Sequence, residues 1–227
     1  MDNSLPSRRA VMLGVGSAVV AAGLGSRSAA AQTPGAFKPA THPEDAWLDQ
    51  RPGTHRIVID AATADAAGAA MLYANNLCTA NKSAYAGGAD TDLALVVVLR
   101  HFATAFAFTD AMWAKYGKAM SAAVAFTDPR TKEAPSTNLY NATGYGLSLT
   151  NLGATISAVT RRGAYFAVCD TASHFLASQI ASATKGDPAA IYKELTLNLI
   201  PNSRIIPNGV MAVTRSQEHG YSLVYAG

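Results

Sequence analysis

Three observations predict an α/β fold, a three-layer α/β/α sandwich with a mostly parallel central sheet. The run Asp92-Leu93-Ala94-Leu95-Val96-Val97-Val98-Leu99 is almost continuously apolar, as a parallel strand covered by helices on both faces must be. Short β-branched or aromatic runs alternate with longer stretches at helical spacing, the signature of repeated β-then-α units. The length suits one domain with a proper core rather than two.

The N-terminal residues carry an address. Ser7-Arg8-Arg9-Ala10-Val11-Met12 sets paired arginines before an uncharged stretch from Ala10 to Gly25, and Ser28-Ala29-Ala30-Ala31 supplies small residues for cleavage. We read residues 1–31 as a twin-arginine signal peptide cleaved after Ala31, which predicts a periplasmic, exported protein. The leader holds Arg8, Arg9 and Arg27 against Asp2, so most of the formal charge of +3 leaves with it. The basic balance therefore gives no reason to expect nucleic acid as a partner. No later run reaches the ~18 apolar residues of a membrane helix, so no stable membrane span is expected after cleavage.

Residues 32–54 are rich in Pro, Gly and Thr and read as an extended arm, with Trp47 either solvent-facing or docked on the domain or on a neighbouring subunit. The domain, residues 55–227, opens with the strand His55–Asp60 and a helix over 62–81. Residues 92–99 form the central strand, and a helix over 101–120 follows, with Phe102, Phe106, Met112, Trp113 and Tyr116. Residues 124–146 hold too many Pro, Asn and Gly for a regular element and read as an exposed loop. A helix over 147–161, a strand over 164–169 and a helix over 171–184 come next. Asp187 caps a helix through 198, with Pro188 in its first turn. Two short strands, 209–213 and 222–225, close the chain.

Familiar catalytic signatures are missing: no Walker loop, no Gly-x-Ser-x-Gly, no His-Glu-x-x-His and no Cys-x-x-Cys. His42, His55, His101, His174 and His219 show no metal-type spacing, so neither a metal site nor a cofactor is expected. Cys78 and Cys169 form an even pair, whose plain reading in an oxidising compartment is a disulfide.

In open parallel sheets, ligands gather beyond the carboxyl ends of the strands. Three such ends present Asp60, then Arg100 with His101, then Cys169 with Asp170, and adjacent strands would bring them to one rim. Cys169 is the candidate nucleophile there: the following helix start, Arg100 and a protonated His101 each favour a thiolate, while Asp170 opposes it. Cys169 reads equally as a buried cysteine finishing an apolar strand. Cys78 lies in an apolar helical stretch and reads as core.

Val97-Val98-Leu99-Arg100-His101, Asp110-Ala111-Met112-Trp113-Ala114-Lys115-Tyr116, Val168-Cys169-Asp170, Ile200-Pro201-Asn202, Gly209-Val210 and Gln217-Glu218-His219-Gly220-Tyr221 together resemble the DsrE/DsrF-like, sulfur-relay family, in particular its exported members with twin-arginine signals. The likeness covers roughly residues 55–225. It implies a compact three-layer α/β fold, assembly into a homo-oligomer (trimer or hexamer), and a strand-end cysteine, matched here to Cys169, that accepts sulfur as a persulfide and passes it on to a partner protein. Sulfur donor and acceptor proteins are the partners so implied, and any enzymatic role is at most that of a sulfur-transfer carrier. Two features depart from the family: those relays are cytoplasmic, and the 124–146 segment lies outside the compact pattern. A non-catalytic protein that binds a small ligand or supports an assembly, with a structural cysteine, is the alternative.

Overall fold

Seven consecutive apolar residues, Leu93–Leu99, form strand β2, and every one is buried. Such a strand needs cover on both faces, and it lies in the middle of the sheet. The structure, a computed structural model, describes residues 38–227. The expected twin-arginine leader and the part of the expected arm up to residue 37 lie outside the described residues. Strands β1 (His55–Ala61), β3 (Tyr165–Cys169), β4 (Ser203–Ile206) and β5 (Ser222–Tyr225) join β2 in an all-parallel sheet of order β4-β3-β2-β1-β5.

Alternation along the strands divides the core into two layers. Ile59, Leu95, Val97, Phe166 and Val168 face a large layer built by α1 (Ala64–Ala84) and α4 (Asp170–Thr184), with α2 (Asp110–Val124) and α5 (Pro188–Leu197) packed against α4. Val58, Val96, Val98, Ala167 and Ile206 face a thinner layer formed by α6 (Gly209–Glu218) and a 3₁₀ turn at Pro43–Leu48. The short helix α3 (Ile156–Arg161) leads into β3. The helices that link β1 through β4 in sequence lie on the first face. Helix α6 crosses the second face to carry the chain from one sheet edge, β4, to the other, β5. Among the described residues, no helix is long and apolar enough to cross a membrane.

Five expectations are corrected. The arm is not extended throughout, because Trp47 and Leu48 are buried against the sheet, a burial that contributes roughly 2 kcal/mol for each large apolar side chain. The stretch 101–120 is two elements: a 3₁₀ turn at His101–Ala107, then α2, separated by Phe108 and the extended Thr109 that N-caps it. The stretch 147–161 is helical only in a 3₁₀ turn at Gly146–Ser148 and in α3, since left-handed Leu152 and Gly153 break it. Residues 209–213 are not a strand but the start of α6, and the fourth strand is Ser203–Ile206. The 124–146 segment is not simply exposed, because Phe126, Asn138, Leu139 and Tyr140 are buried in it. The Asn138 amide donates to the carbonyls of Phe106 and Phe108 and so fastens the segment to the α2 side.

Candidate functional site

The chain changes sheet face between β3 and β4. After β3 it turns into α4 on the first face, and after β4 it turns into α6 on the second, while Cys169 and Ile206 pair at the carboxyl ends of these two neighbouring strands. Such a switch point opens a crevice that neither helix fills. A cavity of about 330 Å³ lies there, bordered by Arg100, His101, Cys169, Phe175, Asn208 and Gly209, among others.

Two helices begin beside Cys169, and one of them directs an N–H at its sulfur. Cys169 is itself the N-cap residue of α4, and the Gly209 N–H at the first position of α6 donates to Cys169 Sγ at 3.3 Å. Asn208 Oδ1 accepts the next two N–H groups, those of Val210 and Met211, which fixes the helix start and leaves the Gly209 N–H for the thiol. Position 209 must be glycine for this approach, since a β-carbon there would stand 2.3 Å from the Arg100 β-carbon. The Thr171 hydroxyl donates to the Pro207 carbonyl at 3.2 Å and ties the two helix starts together. Helix N-termini carry partial positive charge, and here the first N–H of α6 is directed at the sulfur.

Arg100 supplies the formal charge. Its Nε and Nη2 grip Asp60 Oδ1 and Oδ2 at 2.7 and 2.9 Å, a bidentate pair in which Asp60 is buried. That hydrogen-bonded pairing raises the Arg100 pKa above its ordinary value, and negative charge at Cys169 adds a smaller push in the same direction. His101 stands at the mouth of the cavity, exposed, with a left-handed φ of +52° and its ring stacked on Phe102 at 4.1 Å. Such a backbone costs a β-carbon-bearing residue about 1–2 kcal/mol and persists only where its surroundings hold it. Here the flanking residues do so: the N–H groups of Arg100 and Phe102 donate to the Ala61 and Ala62 carbonyls.

Of the residues expected at one rim, Cys169, Arg100 and His101 meet at the cavity, and Asp60 lies behind Arg100 as its counter-ion. Asp170 departs from that expectation. Its Oδ1 accepts from the Tyr192 hydroxyl, and its Oδ2 lies 3.7 Å from His174 Nε2, while the His174 ring stacks on Tyr192 at 3.8 Å. The carboxylate is thus engaged by α5 rather than by the cavity, and it raises the Tyr192 hydroxyl to about 12. Sequence reasoning missed Asn208, Gly209, Thr171 and Phe175. The signal for the first two was Asn208 itself, a strong N-cap residue placed directly before the glycine.

The expected disulfide is absent: Cys78 and Cys169 are both free. Cys78 lies in α1, 1% exposed, and feels the charges of Arg162 and of Asp90, which precedes β2; this sets it at the amino edge of the sheet, opposite Cys169. Burial pushes the Cys78 thiol up. Among the described residues, no group of three His, Cys, Asp or Glu side chains is arranged to hold a metal ion. In comparisons with known proteins, no family model, no curated protein and no solved structure matches this chain.

Proposed function

We propose that the protein is a periplasmic sulfur carrier of the DsrE-like kind, with Cys169 as the nucleophile that holds sulfur as a persulfide. The observation that carries this reading is the Gly209 N–H at the start of α6, 3.3 Å from Cys169 Sγ, with Arg100 on the same cavity. A thiolate is the reactive form of cysteine, and the donated Gly209 N–H with Arg100 on the same cavity supports assigning that role to Cys169.

The step moves a sulfane sulfur without net oxidation or reduction. The Cys169 thiolate attacks the outer sulfur of a donor persulfide R–S–S–H. A new S–S bond forms to Cys169, the donor S–S bond breaks with its electron pair on R–S⁻, and that thiolate takes a proton from solvent. Attack by an acceptor thiolate on the outer sulfur of Cys169–S–S–H reverses the chemistry and frees Cys169. The Gly209 N–H and the Arg100 charge offset the negative charge on Cys169 before loading and after release. Phe175 and Val210 border the cavity with exposed apolar surface, which supports a donor, an acceptor or a second copy of the chain seated over it.

The test is mass spectrometry of the mature protein, purified without reductant, after incubation with polysulfide and with or without alkylation. A gain of one or more sulfur atoms on the peptide that carries Cys169 supports the reading. Two inert thiols overturn it. One observation favours the second reading, a non-catalytic binding or assembly protein: Cys169 is only 4% exposed.

A further inference from the structure

A second cavity, of about 440 Å³, lies on the thinner face between the 3₁₀ turn at residues 43–48, the edge strand β4 and helix α6. Its distinctive residue is Arg204. On β4 this residue shares the sheet face of Ile206, two positions on, and its guanidinium carbon sits 5.1 Å from the centre of the Trp47 ring. Trp47 is buried and rests in turn on Tyr165, with ring centres 5.6 Å apart, so the indole that holds the guanidinium is itself fixed.

The charge of Arg204 is unanswered. Its Nε is buried without a hydrogen-bond partner, and among the described residues no carboxylate pairs with the guanidinium. The other charged groups around the cavity are spoken for or wet: Arg215 lies 3.8 Å from Asp45 and bonds Glu218 at 2.5 Å, while Glu44 and His42 are exposed at the rim. Apart from Asn208, the remaining walls are apolar, with Trp47, Ile206, Pro207 and Met211. A planar fork of donors with no acceptor, pressed on an aromatic ring in an apolar cavity, matches a carboxylate that carries an apolar group.

We propose that this cavity binds a small organic carboxylate with an apolar body, the carboxylate on the Arg204 guanidinium and the body against Trp47, Ile206 and Met211. The site is separate from the Cys169 cavity, with which it shares only Asn208 as a bordering residue.

Calorimetric titration of the full-length protein with phenylacetate and hexanoate, and with their neutral amides phenylacetamide and hexanamide, tests this. Saturable binding of at least one acid, one molecule per chain and at least tenfold tighter than its amide, is the expected result. Arg204→Met removes the preference for acid over amide, and Cys169→Ser leaves it unchanged. Neither acid binding, or acid and amide binding alike to the unaltered protein, overturns the proposal whether or not the Arg204 variant folds; so does an acid preference that survives Arg204→Met.

Discussion

The two edges of the sheet each bury a cysteine, and their surroundings are of opposite character. At the carboxyl edge Cys169 sits where two helices begin, hydrogen-bonded by the Gly209 N–H and close to the Arg100–Asp60 pair, with a cavity in front of it. At the amino edge Cys78 lies in the later turns of α1 among core residues, where burial pushes its thiol up and no cavity opens on it among those described. The Arg162 side chain clamps that edge: it bonds Asp90 twice, the Asn75 carbonyl and amide oxygen, and the Thr79 hydroxyl. Near-equal burial of two identical side chains thus goes with different surroundings: a helix-start N–H and an open cavity at Cys169, packed core at Cys78.

The largest effect that would sharpen this contrast is expected from Cys169→Ser, which should end sulfur loading from polysulfide entirely, whereas Cys78→Ser should load as the unaltered chain does. Peptide mass spectrometry reads both, and sulfur on Cys78 in the Cys169→Ser protein would erase the distinction. Next is Gly209→Ala. The added β-carbon collides with Arg100, α6 must withdraw, and the N–H to sulfur contact is lost. A hydrogen bond to a charged group contributes about 1.5–3 kcal/mol, so alkylation of Cys169 by iodoacetamide should slow about tenfold or more. An unchanged rate would mean that the α6 start does not activate the thiol.

The smallest effect tests the other edge. Arg162→Ala should cost about 1–2 kcal/mol, since its partners are partly exposed and solvent discounts the charged pair, and should leave Cys169 alkylation untouched. The pairing also has a pH signature. The Arg162 hydrogen bonds hold the Asp90 carboxyl below its ordinary range, so the folded state binds that proton less readily than the unfolded state. The stability gained is fully present above the ordinary Asp pKa of about 4 and is lost as pH falls through the lowered value. Thermal melts between about pH 2 and 6 should show a shallower acid decline for Arg162→Ala than for the unaltered chain; parallel curves would assign the acid sensitivity to the Asp49, Asp128 and Glu194 carboxylates, which are lowered as well.

Much of this architecture is local in origin. Strands β1, β2 and β3 are β-branched or apolar runs of the right length, and Asp187 before Pro188 marks the start of α5 without ambiguity. What misled was composition without context. Val210, Met211 and Val213 suit a strand as well as a helix; the Asn208 cap and the cover of the sheet face made them α6. Ser203–Ile206, between two prolines, carries no period of its own and becomes a strand only because β3 offers it an edge.

By itself the sequence determined an α/β sandwich of parallel strands, and the presence of Asp60, Arg100, His101 and Cys169 at strand ends, because strand and helix periods and their terminating residues are written in neighbouring positions. Only the tertiary structure decided that Asp60 would be bound to Arg100, that Asp170 would turn to Tyr192, that Arg204 would lie on Trp47, and that α6 would point its first N–H at Cys169. These contacts join residues distant in the chain, 40 positions apart for Asp60 with Arg100 and for Cys169 with Gly209, and their energies depend on strand order and on which face each crossover takes.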